Sequence, residues 1–127
     1  RFVRHTGTSS RFIRSLQFGA DGDLWIGSRD SGLDRMDTSS GQVTNFSRDE
    51  ADPTSLSDDR VFALRFDSSG RLWVGTDGGV NLFDPKKERF TQFMHEPGNP
   101  SSLSDGRVRA IFEDRDGAMW IGHARAD

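Results

Sequence analysis

Gly70-Arg71-Leu72-Trp73-Val74-Gly75-Thr76 is one of three renderings of the same phrase; the others are Gly22-Asp-Leu-Trp-Ile-Gly-Ser28 and Gly117-Ala-Met-Trp-Ile-Gly-His123. Trp25, Trp73 and Trp120, the three tryptophans of the chain, stand 48 and 47 residues apart. A fixed period of that length is the signature of a repeat architecture. The register holds far beyond the phrase. Ile13, Val61 and Val108 each precede their tryptophan by 12 residues, and Leu16, Leu64 and Ile111 by nine. Downstream, Asp37 and Asp84 each precede an aromatic residue, Phe46 and Phe93, by nine. One extra residue in Ser28–Gly32 relative to Thr76–Gly79 is the single slip, and insertions of that kind belong in loops.

Within a repeat the apolar period is two, which is the period of a strand. Val61 to Phe66 is followed by the turn letters Asp67-Ser-Ser-Gly70, then by the apolar run Leu72-Trp73-Val74. Gly78-Gly79 marks a second turn, Val80 to Phe83 a third strand, Asp84-Pro85-Lys86-Lys87 a third turn, and Arg89 to Phe93 a fourth strand. Four antiparallel strands per repeat cannot bury both faces alone, so successive copies are expected to stack around an axis as the blades of a β-propeller. The fold class is therefore all-β, a partial propeller of about 2.5–3 blades. Its units span about 1–6 (the last strand of a blade), 12–48, 60–95 and 107–122 (the first two strands of a blade). The whole of 1–127 reads as a fragment of one domain.

Composition narrows the function. Only 32% of the 127 residues are hydrophobic and 14 are glycine, which suits short strands joined by frequent turns. Seventeen Lys and Arg against 20 Asp and Glu give a net charge of −3 with the signs interspersed, so no basic footprint points to nucleic acid. No apolar run approaches the roughly 20 residues of a membrane span. There is no cysteine, hence neither disulfide nor thiolate metal site. Asp114-Arg-Asp-Gly117 resembles the opening of a calcium loop, but Arg125 stands where the twelfth-position acid belongs. The same turn is Asp67-Ser-Ser-Gly70 in another copy, so the sequence predicts a turn braced by an aspartate, and no metal or cofactor is expected. No nucleophile motif or histidine pair at metal spacing accompanies His5, His95 and His123, which disfavours an enzyme.

The tryptophans, each set between aliphatic residues, are expected to pack between sheets in the same environment every time. Gly27, Gly75 and Gly122 beside them are expected to admit a close neighbour. Ligand candidates come from the loop face that surrounds a propeller's central channel. On this chain that face carries Arg29, Asp30, Asp77 and His123, which differ between copies, and Arg60 and Arg107, which recur. A recurring linker ion pair is the plain reading of the last two.

The run Val61-x-Ala63, Asp67-x-x-Gly70-x-Leu72-Trp73-Val74-Gly75-Thr76, Gly78-Gly79-Val80, Asp84-Pro85 and Phe90-x-x-Phe93 resembles the two-component regulator propeller repeats of bacterial sensor proteins. The resemblance covers two complete copies and two partial ones, and departs from the pattern at Gly19 and His123. It implies a sensory, extracytoplasmic (periplasmic) propeller joined to a membrane segment and to an output such as a histidine kinase or a diguanylate cyclase. It also implies an extracellular small-molecule ligand, a saccharide among the candidates. The alternative is a scaffold propeller that recognises protein. Further partners are the remaining blades of a parent protein, or a second copy paired through open blade edges.

Overall fold

The computed structural model describes residues 12–19, 21–93 and 108–123, with the backbone alone for His123. Alternation of apolar and polar residues yields ten strands there: β1 Ile13–Phe18, β2 Leu24–Ser28, β3 Leu33–Met36, β4 Val43–Phe46, β5 Val61–Phe66, β6 Leu72–Thr76, β7 Gly79–Asp84, β8 Arg89–Phe93, β9 Val108–Glu113 and β10 Met119–His123. They pair only with chain neighbours, giving antiparallel meanders β1-β2-β3-β4 and β5-β6-β7-β8 and the hairpin β9-β10. The architecture is that of propeller blades, and the three sheets do not close into a ring. The strand expected at 1–6 lies outside the described residues.

The first hairpin of each sheet turns in the same way. Gly22, Gly70 and Gly117 have φ of 89°, 82° and 83°, a left-handed conformation that glycine adopts without steric cost. Each donates its N–H to the carbonyl three residues back, on Gly19, Asp67 and Asp114, at 2.9–3.1 Å. One face of each sheet packs on the next. Trp25, Leu33, Leu56, Val61, Leu72, Val74, Phe83 and Phe90 form the buried core between the first two sheets. Ala63, Val80, Val108 and Ile111, with Trp73, Met119 and Ile121 against them, form the second. Leu56 belongs to the linker between sheets. That linker is pinned by Ser57, whose N–H donates to Asn81 Oδ1 (3.0 Å) and whose hydroxyl pairs with Thr76 Oγ1 (2.8 Å).

The tryptophans do not share one environment. Trp25 is 5% exposed against Phe46 and Phe83, Trp73 is half-buried against Phe93, and Trp120 is 62% exposed. The face that covers Trp25 comes from the second sheet, and no described sheet lies against Trp120. A Cβ on Gly27 or Gly75 would meet Val61 Cγ1 or Val108 Cγ1 at 2.6 Å, each the first residue of the following sheet. On Gly122 it would meet only Ala110, at 3.3 Å. At the opposite end of the stack Ile13, Leu16 and Phe18 are exposed. The stack thus ends in two apolar faces that are the two halves of the interface buried in its middle.

Candidate ligand-recognition site

The site begins with a backbone irregularity that occurs three times. Pairing of β1 with β2 runs Ile13↔Ser28 and then Ser15↔Gly27, which leaves Arg14 as an extra residue. The same bulge leaves Phe62 extra between Val61↔Thr76 and Ala63↔Gly75, and Arg109 between His123↔Val108 and Gly122↔Ala110. A bulge re-aims the side chain it carries. Because β5 lies against β1 on one side and β9 on the other, the re-aimed side chains of β1 and β9 both meet the one on β5. The Arg14 guanidinium lies 4.1 Å from the centre of the Phe62 ring, and that of Arg109 lies 3.6 Å from it. A cation at the face of an aromatic ring is attracted by about 0.5–2 kcal/mol, more as water is excluded.

Charged loops surround this ladder. Asp77 accepts from Arg109 Nη1 (2.5 Å) and lies 3.3 Å from Arg60 Nε. Arg60 in turn makes two bonds of 3.1 Å to the Asp58 carboxylate, which also accepts the Arg60 backbone N–H at 2.8 Å. Burial works to raise the Asp58 pKa. The bonds from Arg60 and the charges of Arg60 and Arg48 outweigh it, and hold the carboxyl below its ordinary value. The same bonds, with the charge of Asp77, hold Arg60 more firmly protonated. Asp59 fastens the linkers: its carbonyl accepts from Gly32 N (2.8 Å) and its carboxylate from Arg48 N (2.6 Å). The result is an open depression of about 640 Å³ whose walls include Arg14, Arg29, Asp30, Asp58, Phe62 and Asp77. The Arg14 guanidinium has no carboxylate partner among the described residues.

Of the residues expected at the loop face, Arg29, Asp30, Asp77 and Arg60 come together here. Arg107 lies outside the described residues, as does the side chain of His123. The sequence reading did not single out Arg14, Phe62 and Arg109. Their signal was present in the repeat register, since each follows the aligned Ile13, Val61 and Val108 by one residue, but period-two counting assigns that position to the wrong face when a bulge intervenes. No group of three or more acidic, histidine or cysteine side chains is placed to hold a metal among the described residues. No described helix is long and apolar enough to cross a membrane.

Solved structures share this fold. The extracellular domain of the hybrid two component system BT4673 from B. thetaiotaomicron superposes with a TM-score of 0.72 at 24% identity, over 97% of this chain and 16% of that one. The corresponding domain of BT3049 from the same organism gives 0.77 at 20% identity, over 94% and 17%. Virginiamycin B lyase from Staphylococcus aureus gives 0.60 at 17% identity, over 86% and 33%. The chain thus spans about a sixth of the length of the two extracellular domains. No curated protein matches it. Since the fold is common to sensor domains and to a lyase, the fold alone leaves catalysis open, and the repeat itself decides. A family model for the two component regulator propeller, a non-catalytic regulatory unit, matches residues 55–78 and 102–125. Both matched stretches carry the repeated tryptophan phrase, so the repeat of this chain is similar to the two-component regulator propeller, on a fold shared with the extracellular domains above.

Proposed function

We propose that this chain is the ligand-recognising part of an extracytoplasmic sensor propeller, carried by a membrane-anchored signalling protein of the two-component or diguanylate cyclase type. The observation that carries the reading is a contrast within the repeat. At the bulge the backbone is the same three times, yet the side chains are Arg14, Phe62 and Arg109. At the packing positions the side chains repeat as well. Constant scaffold with varied side chains at one mouth is how a repeat protein builds specificity. The mouth offers Arg donors beside Asp acceptors, which suits a polar, hydroxyl-rich extracellular molecule of the saccharide class.

The experiment is a thermal-shift panel of neutral and acidic saccharides and small metabolites on the purified chain. A ligand at a hundred times its Kd stabilises by about 2.7 kcal/mol, a readily measured shift. The proposal expects a saturable rise for at least one compound, lost in the Arg14→Ala, Phe62→Ala double variant. A chain silent to the whole panel that captures a protein partner instead would replace this reading with the scaffold one.

A further inference from the structure

Two aligned residues at the charged mouth have opposite signs. Asp77 follows Thr76 at the end of β6, and Arg29 follows Ser28 at the end of β2. Between the second and third sheets Asp77 neutralises the cations around it: it accepts from Arg109 Nη1 and lies 3.3 Å from Arg60 Nε. Between the first and second sheets an arginine takes its place. Arg29 forms no ion pair among the described residues, and neither do Arg14 and Arg48, which line the same depression. Each acid there already has a donor. Asp58 holds Arg60, Asp77 holds Arg109, the Asp59 carboxylate takes the Arg48 backbone N–H, and Asp30 accepts from the Ser31 hydroxyl at 3.1 Å. The spare hydrogen-bonding capacity of the mouth therefore lies with positively charged donors. Its aromatic surface is also taken. A sugar that lies flat on a ring needs a free face, and Phe62 has a guanidinium against it from each neighbouring strand, Arg14 at 4.1 Å and Arg109 at 3.6 Å from its centre.

From this imbalance we infer that the ligand of the mouth is an acidic saccharide, whose carboxylate takes the place of the missing aspartate among Arg14, Arg29 and Arg48. The inference rests on the ligand-recognising reading above and narrows its ligand class. A guanidinium presents parallel N–H donors that match the two oxygens of a carboxylate, a pairing about twice as strong as a hydrogen bond between neutral groups. The sugar hydroxyls accept from the remaining guanidinium N–H groups and donate to the free lone pairs of Asp30 and Asp58, which a bare anion cannot do. All three arginines are exposed. An anion held by exposed cations exchanges with solvent, and its affinity falls as salt screens the attraction.

The test is titration calorimetry of the purified chain with sodium D-glucuronate and D-galacturonate, each against its neutral parent, D-glucose or D-galactose, and with sodium acetate. At least one uronate should bind at least about tenfold more tightly than its parent sugar and than acetate. Its affinity should fall between about 0.01 M and 0.15 M salt, where the screening length shortens from about 30 Å to about 8 Å. Arg29→Gln should weaken that uronate about tenfold, and Arg29→Asp, which installs the aligned residue, should abolish its binding. Both variants should keep the thermal midpoint of the unliganded chain, because the side chain is exposed. A parent sugar bound as tightly as its uronate overturns the acidic class and leaves the ligand-recognising reading standing. Acetate bound as tightly as the uronate overturns it in favour of a simple anion site, and so does full uronate affinity in Arg29→Asp. Silence of both uronates also overturns it, and takes the ligand-recognising reading with it only where the wider thermal panel is silent too.

Discussion

Replacing Gly19 with aspartate should stabilise this protein, an unusual expectation for a substitution at a partly buried glycine. The backbone there is outside the positive-φ region, so an ordinary side chain fits it. The nearest atom to the new Cβ is Asp21 Oδ1 at 2.9 Å, the end of an exposed flexible side chain that can swing away. The gain has two sources. A carboxylate at 19 accepts the Trp25 indole N–H as Asp67 accepts that of Trp73, a charge-assisted bond of about 1.5–3 kcal/mol. Loss of glycine's freedom in the unfolded chain adds about 0.4–1 kcal/mol. Repulsion from Asp21 and Asp23 subtracts part of this, and about 1–2 kcal/mol remains. For a chain of this length that raises Tm by about 4–8 °C. The new carboxyl, hydrogen-bonded in the folded state, should have its pKa lowered there as Asp67 does. Its contribution is therefore complete above the unfolded value near 4 and is lost as pH falls through the folded value. Urea melts at pH 7 and pH 3 measure both. A variant no more stable than wild type at pH 7, or one equally stabilised at pH 3, would refute the reasoning.

Trp25→Ala should cost about 3–5 kcal/mol, the range for emptying a large buried aromatic site, whereas Trp120→Ala should cost about 1 kcal/mol or less because its ring is exposed; equal losses in denaturant melts would contradict the gradient of burial along the stack. At Asp67, burial favours the neutral acid, but bonds from Trp73, Arg71 and Ser69 prevail and lower the pKa. Asp67→Asn should therefore be destabilising by about 1–3 kcal/mol at pH 7 and nearly neutral below the folded pKa, a difference read from melts across that range. The exposed faces at Ile13, Leu16, Phe18 and at Phe112, Trp120 are complementary halves of one interface, so the isolated chain should associate head to tail; a monodisperse monomer at micromolar concentration in light scattering would overturn that.

The sheet order and the three hairpin turns were legible in the sequence because each is a local pattern repeated. Asp67-x-x-Gly70 fixes a turn, Leu72-Trp73-Val74 a strand, and a 47–48-residue period their stacking. What escaped was non-local or irregular. Equal sequence environments suggested equal burial for the tryptophans, but burial depends on whether another sheet lies against each, which Trp25 has and Trp120 lacks. Arg14, Phe62 and Arg109 were hidden by the bulge, which changes the facing of one residue without changing the residue pattern around it. Gly19 was visible as a departure from the repeat. Its consequence, an indole at Trp25 without the aspartate acceptor that Trp73 and Trp120 have, needed the three-dimensional neighbours of the turn.

Recognition at the bulge-lined mouth is the centre of this account, and titration calorimetry tests it most directly. A compound that stabilises the chain in the thermal panel would be titrated into wild type, Arg14→Ala, Phe62→Ala and Gly19→Asp. The account predicts that each mouth variant binds at least about tenfold more weakly, about 1.4 kcal/mol, with Gly19→Asp unchanged; full affinity in both mouth variants would contradict it.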